Sequence, residues 1–168
     1  TRIIQKFRTD EVDIPWIDNS KSYLKLPDEL IAKGAESNIV KSDYLGEKAV
    51  VKDRIPKGYR IPEIDDKIRR ARTKEEAKLL SDAKRAGVRT PVLYDVDLHD
   101  KTITMEEIDG VMLKEVIDDD LAFELGREIS KLHSADIIHG DITTSNIMLS
   151  EGDLVFIDFG LGRYSSLE

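Results

Sequence analysis

His139, Gly140 and Asp141 stand together, Asn146 follows five residues after Asp141, and Asp158-Phe159-Gly160 comes twelve residues after that Asn. An Asp and an Asn at this spacing, followed by an Asp-Phe-Gly after a short hairpin, suit phosphoryl transfer from a nucleotide. One carboxylate must lie beside the attacking hydroxyl or water. A second carboxylate and an amide oxygen must hold magnesium, because hard cations select oxygen ligands. Asp141 would take the first role, Asn146 and Asp158 the second. Taken singly, each residue has a plainer reading: Asp141 as a turn carboxylate, Asn146 as a cap, His139 as a satisfied structural imidazole, and His99 and His133 as core or surface residues. Their ordered conjunction is what points to chemistry.

The chain that must position these groups has 168 residues, enough for one domain or for two small lobes sharing a cleft. Apolar residues make up 40% and charged residues 36%, and no apolar run approaches the roughly 20 residues of a membrane span. The expectation is a cytosolic chain with no membrane partner. Cys is absent, which excludes disulfides and zinc fingers. Against 26 Lys and Arg stand 34 Asp and Glu, a net charge of −8 that gives the surface as a whole no attraction for nucleic acid. A local exception runs from Arg54 to Lys74, with Lys57, Arg60, Lys67, Arg69, Arg70 and Arg72 between them. A solvated helix face and a phosphate or RNA contact are both open readings of it.

Residues 1–19, "TRIIQKFRTDEVDIPWIDN", start without Met and carry neither helical nor strand periodicity, so they read as an extended tail from something upstream. From Leu30, "LIAK", "SNIVKSDYL" and "KAVVK" predict three antiparallel strands, the last two joined through a turn at Gly46-Glu47. Helical spacing from about Ile64 to Ala86, ending at Gly87, predicts a long helix. "PVLYDVDL" and "TITMEEI" predict a second hairpin. After Asp109-Gly110, residues 111–117 read as a short helix, and "DLAFELGREISKLHSA" as a longer one with Leu121, Leu125, Ile129 and Leu132 on one face. "IML" and "LVFID" form a closing hairpin around Glu151-Gly152-Asp153.

This order of motifs and elements resembles the protein-kinase-like fold over about residues 24–168. The resemblance implies an α+β, two-lobed architecture with a reduced C-lobe: an N-lobe of about 24–106 and a C-lobe of about 107–168. It implies ATP and Mg2+ as cofactors. Lys52, ending "AVVK", would hold the inner phosphates, and its alternation neighbour Val50 would line the adenine pocket. Glu76 shares a helix face with Leu80 and Ala83, where a carboxylate needs a cation, and Lys52 is the one the fold supplies. Glu75 takes that place should the helix be rotated by one residue. Met105 resembles the gatekeeper, the Glu106 carbonyl and Ile108 amide would receive adenine's edge, and Met148 would form the pocket floor. Ile31, Gly34, Ala35, Glu36, Ser37 and Ile39 would cover the nucleotide.

Several departures narrow the resemblance. The phosphate-covering segment "KGAESNIV" has one glycine, Gly34, and brings fewer free backbone amides to a phosphate than a glycine-rich loop. Gly140 replaces the Arg expected between His and Asp, so nothing in that motif reads a phosphorylated activation loop. Thr143 stands where Ser/Thr kinases carry a Lys. Eight residues follow Gly160, against the activation segment, peptide platform and helices of an ordinary kinase.

"KGAESNI", "YRIPEID", "IRRARTKEEAKLL", "RAGVRTPVLYDVD", "LHSADIIHGDITTSNIML" and "FIDFGLGRYS" resemble the small atypical kinases of the KEOPS complex, related to the RIO kinases. Members extend about one more helix, so residue 168 is expected to be a truncation. "FRTDEVDIPW" resembles the last strand of the KEOPS transferase, which makes threonylcarbamoyladenosine in tRNA. Residues 1–19 are then a transferase remnant and linker, and 20–168 the kinase domain. The resemblance implies a Ser/Thr kinase or ATPase that supports tRNA modification, with the transferase and other KEOPS subunits as partners and tRNA contact through residues 54–74. A regulatory protein kinase with its own protein substrate and a non-catalytic, ATP-holding scaffold are the alternatives.

Overall fold

A computed structural model describes residues 30–34 and 36–165; residues 1–29, with the whole N-terminal tail, Ala35 and residues 166–168 lie outside the described residues. Three strands open it: β1 (Leu30–Lys33), β2 (Ser37–Tyr44) and β3 (Glu47–Arg54). The β2–β3 hairpin turns on Leu45 and Gly46, at φ of 56° and 90°, rather than on Gly46-Glu47. Two successive left-handed residues give the twist a two-residue hairpin needs, so Glu47 is already the first strand residue.

Helix α1 (Pro62–Arg85) begins with Pro at its first position, where no intrahelical N–H is required, and ends before Gly87 at φ 85°. The Val88 amide then closes back on the Ala83 carbonyl at 3.1 Å. Its buried residues Thr73, Glu76, Leu80 and Ala83 recur at intervals of three and four, so one stripe faces inward. Strands β4 (Leu93–Asp97) and β5 (Thr102–Glu106) complete a five-stranded antiparallel sheet of order β1-β2-β3-β5-β4. Ala77, Ile103 and Met105 pack between α1 and this sheet, with Val50, Leu93 and Val96 around them.

Residues 107–110 cross to the lower lobe, where a side chain on Gly110 would meet the Leu149 carbonyl oxygen at 2.4 Å. The segment predicted as one short helix divides into strand β6 (Val111–Met112) and a single turn, α2 (Leu113–Val116). Pairing of Met112 with Met148 draws the first two residues into a sheet. Helix α3 (Asp119–Ser134) is capped by Asp118, whose carboxylate accepts from the Leu121 amide at 2.8 Å. Leu132 on α3 is fully buried, and Leu121, Leu125 and Ile129 pack against the same core. Strand β7 (Ile137–Ile138) follows, then the hairpin of β8 (Ile147–Ser150) and β9 (Asp153–Phe156), then β10 (Arg163–Tyr164). The β7–β10 pair, two residues each, is too short to carry a sequence signature.

The larger core runs between the lobes. Leu79, Leu80 and Ala83 of α1 share it with Leu113, Leu132, Ile147, Phe156 and Phe159. The Phe156 amide also donates to the Arg89 carbonyl at 2.9 Å, and the Tyr164 hydroxyl donates to Asp82 at 2.6 Å. Helix α1 is thereby fastened to the lower lobe along its C-terminal half, which fixes Glu76 relative to everything that follows β9.

Candidate active site

On β3, alternation directs Lys52 and Arg54 to the same side, and both side chains are buried. Glu76, 2% exposed, faces them from α1, while Glu75 is exposed, which settles the helix rotation in favour of Glu76. Lys52 Nζ donates to Glu76 Oε1 at 2.6 Å and to Asp158 Oδ1 at 2.8 Å. Burial works against the Lys52 charge, but the two carboxylates outweigh it and raise its pKa above the usual lysine value. Burial likewise pushes Asp158 up, and the Lys52 ammonium with the Gly160 amide, 2.8 Å from Oδ1, more than reverses it, so Asp158 is held ionised. A methyl group on Gly160 would lie 3.0 Å from Asp158 Oδ1 and 3.6 Å from Lys52 Nζ, so this glycine lets the backbone close on the ion pair.

Asp141 is exposed in the segment between β7 and β8. Asn146 Nδ2 donates both to its backbone carbonyl and to its Oδ2, at 3.0 Å each. The amide nitrogen is thus directed at Asp141, and the amide oxygen is the atom with lone pairs for a cation. With Asp158 ionised, an anionic carboxylate and a neutral amide oxygen form a donor set that fits a hard divalent cation such as Mg2+. His139 is buried against Phe159 and Phe156, with ring centroids 4.5 and 5.7 Å away, and its Nδ1 accepts from the Asp141 amide at 3.4 Å. Burial lowers its pKa in spite of the nearby Asp158 and Asp141 charges, so the imidazole is a neutral buttress under the loop.

Gly140 is where the structure explains a departure in the sequence. It adopts φ 83°, and a Cβ there would stand 2.0 Å from the Leu161 carbonyl oxygen. No arginine fits, because the loop carrying Asp141 runs directly against the segment after Phe159.

The residues expected around an adenine divide. Val50 and Met105 are cross-strand partners, and Met148 sits in β8 opposite Met112 and Val155. Glu106 and Ile108 begin the crossing between the lobes, and the Glu106 carboxylate accepts from the Val92 amide at 3.0 Å. Ile39 is half-buried opposite Lys52, whereas Ile31 is 48% exposed on β1. Gly34 and Ser37 close a tight turn, with the Gly34 amide donating to the Ser37 carbonyl at 2.8 Å. Glu36 in that turn points at two cations: it pairs with Arg72, and Arg54 Nη1 lies 3.7 Å away.

The basic stretch does not form one exposed patch, which corrects the expectation that the whole of residues 54–74 is available to tRNA. Arg54 is buried and paired to Glu76. Arg60 and Arg69 hold Asp65 at 3.2 and 2.7 Å, and Arg72 holds Glu36. Lys67, Arg70 and Lys74 remain exposed. Arg54 belongs to the site and was masked by its charged neighbours in sequence. The signal that finds it is its spacing of two from Lys52 on a strand.

Residues 41–161 match the family model of the RIO domain. The chain belongs to the RIO domain family. Its RIO domain is similar in fold to the Rio2 kinase–ADP/Mg2+–phosphoaspartate complex from Chaetomium thermophilum, with a TM-score of 0.68 and 20% identity over 79% of this chain and 47% of that one. The fold is therefore the two-lobed, protein-kinase-like one. Relatives named bifunctional tRNA threonylcarbamoyladenosine biosynthesis proteins include one from Methanobrevibacter smithii, 71% identical over 99% of this chain and 31% of that protein. One from Methanothermobacter thermautotrophicus is 51% identical over 98% of this chain and 31% of its own length. In Methanocaldococcus jannaschii the figures are 44%, 100% and 32%. The RIO domain chain thus spans about a third of the length of these relatives.

Proposed function

We propose that this RIO domain is an Mg2+- and ATP-dependent atypical Ser/Thr kinase or ATPase that supports threonylcarbamoyladenosine modification of tRNA. The observation that carries the reading is the convergence of Lys52, Glu76 and Asp158 on one ion-pair cluster, with Asp141 oriented by Asn146 in the loop that precedes β8. Lys52, fixed by Glu76, orients the phosphates, and Val50, Met105 and Met148 border the adenine. Asp158 and Asn146 would hold Mg2+, which when bound neutralises charge on the phosphates. Asp141 orients the attacking hydroxyl or water and accepts its proton.

The names of the relatives supply the context: in them a stretch like this one forms about a third of a bifunctional protein. The transferase segment, contiguous or separate, is the proposed partner, together with other KEOPS subunits and tRNA. Residues 1–19 would belong to the transferase and 20–168 to the kinase domain. Exposed Lys67, Arg70 and Lys74 would be the part of the basic stretch open to RNA, through contacts that weaken as salt rises. A cytoplasmic setting suits this partner set. No described helix is long and apolar enough to cross a membrane.

The test is release of γ-phosphate from ATP with and without the transferase and tRNA. Free phosphate that rises with those partners supports an ATPase of the modification machinery. Phosphate recovered on Ser or Thr of a separate protein favours a regulatory kinase instead, and no release at all leaves a nucleotide-holding scaffold.

A further inference from the structure

Six charges alternate in sign from α1, through the turn before β2, to Asp158. Arg72 pairs with Glu36, Glu36 lies 3.7 Å from Arg54, Arg54 pairs with Glu76, Glu76 with Lys52, and Lys52 with Asp158. The Lys52–Glu76–Asp158 end belongs to the site described above. Arg54 and Glu36 continue it away from Asp158, and neither has yet been given a task of its own.

Glu76 uses its two oxygens for two different cations, Oε1 for Lys52 and Oε2 for Arg54. On the nucleotide-site reading, Lys52 must turn towards phosphate, and its hydrogen bonds to Asp158 and Glu76 are shared with the incoming ligand. Were Lys52 the only cation on Glu76, that exchange would leave a carboxylate 2% exposed without a full partner, which is costly in a low-dielectric interior. Arg54 removes that penalty. Its guanidinium is charged at all accessible pH values, and its fork can address Glu76 and Glu36 from different nitrogens. Lys52, Arg54, Glu76 and Asp158 also sum to zero formal charge. Without Arg54 the set carries −1 and repels a polyphosphate.

Glu36 extends this to the turn of "KGAESNIV". The hydrogen bond from Arg72, working against partial burial, lowers its pKa, and Arg54 adds to the effect. An ionised Glu36 held between α1 and β3 anchors a turn that has a single glycine. Such a tether compensates for the backbone amides that a glycine-rich loop would contribute.

We infer that Arg54 is a positioning residue of the nucleotide site: it holds Glu76 by its second oxygen so that Lys52 is free to serve phosphate, and it tethers the phosphate-covering turn through Glu36. The inference rests on the nucleotide-site reading. It distinguishes phosphate recognition from adenine recognition, because Arg54 and Glu36 act at the phosphate end alone.

The experiment measures binding of ADP with Mg2+, and of adenosine, to the full chain by calorimetry, for wild type, Arg54→Met, Arg54→Lys, Glu36→Gln and the Arg54→Met/Glu36→Gln double variant. Arg54→Met should weaken ADP about tenfold and leave adenosine within about twofold. Arg54→Lys, which keeps the charge on Glu76 but not the fork that also reaches Glu36, should recover part of the ADP affinity. Glu36→Gln, a change at a half-exposed side chain that the fold tolerates, should weaken ADP about threefold, and less than that in the Arg54→Met background, since the two act as a unit. Equal loss of adenosine and ADP in either single variant, or a Glu36→Gln effect undiminished in the double variant, would overturn the inference. So would wild-type ADP affinity in Arg54→Met with wild-type binding intact. A wild-type chain that binds neither ligand would overturn the nucleotide-site reading itself, and the role of Arg54 with it.

Discussion

Asn146 donates its side-chain amide to both the backbone carbonyl and the Oδ2 of Asp141, at 3.0 Å each. Two residues five positions apart therefore act as one unit, the amide nitrogen of the Asn orienting the carboxylate of the Asp.

Asn146→Asp separates these duties. The substituted carboxylate still offers hard oxygen ligands but has no N–H, and it places a like charge beside Asp141. ATP turnover should fall at least about tenfold while Mg2+-dependent ADP binding persists, as measured by phosphate release and calorimetry on the same preparation. Turnover equal to wild type would mean that orientation of Asp141 by Asn146 is irrelevant.

Glu76→Ala should destabilise the protein more than any other single change in the cluster. It leaves Lys52 and Arg54, both 4% exposed, facing each other without their shared carboxylate. Removing one member of such a buried set costs roughly 3–5 kcal/mol. For a domain of this size that corresponds to a fall of about 10 °C in melting temperature. A scanning-calorimetry shift of a degree or two would show that Lys52 and Arg54 do not depend on Glu76 for compensation.

Gly140→Ala tests whether the segment carrying Asp141 depends on its close approach to Leu161. The added methyl meets a backbone carbonyl at 2.0 Å in a left-handed conformation. Strain alone costs about 1–3 kcal/mol, and relief of the clash must move the adjacent Asp141. Both the melting temperature and turnover should drop. A Gly140→Arg chain, carrying the residue usual between His and Asp, should do worse, and wild-type behaviour in either variant would contradict the geometry.

His139 sets a pH dependence. Burial depresses its pKa below the usual 6.5. Between its folded and unfolded pKa values the unfolded chain binds more protons, so stability rises with pH, is fully present above about 6.5, and is lost as pH falls through the folded value. Urea midpoints taken from pH 5 to 7 should climb in wild type and climb less steeply in His139→Phe. Parallel curves would assign the effect to other groups. His99 and His133 are both exposed and lack the burial that gives His139 its leverage.

Much of this was legible in sequence where one physical rule acts alone. Apolar runs of strand length located β2 and β3, and the face that Glu76 shares with Leu80 and Ala83 pointed to a buried carboxylate on α1, with Glu75 left open until the helix rotation was known. Legibility failed where tertiary contact decides. Val111 and Met112 are strand because Leu149 and Met148 pair with them, and Ile137–Ile138 because Arg163–Tyr164 do. The Arg54–Lys74 stretch read as a surface because charge was counted without partners, whereas Glu36, Glu76 and Asp65 pair with four of its arginines. Gly140 read as a lost arginine, and only the Leu161 carbonyl shows why nothing larger fits.

On the proposed function, Asp141 orients the attacking group, so nucleotide turnover should depend on its carboxylate. Phosphate release by wild type and Asp141→Asn, each measured beside ADP affinity on the same samples, tests it most directly. The variant should bind ADP within about threefold of wild type and lose turnover by at least about a hundredfold, within the ~10²–10⁴-fold that a positioned acid–base group contributes. Turnover retained in Asp141→Asn, with binding intact, would contradict it.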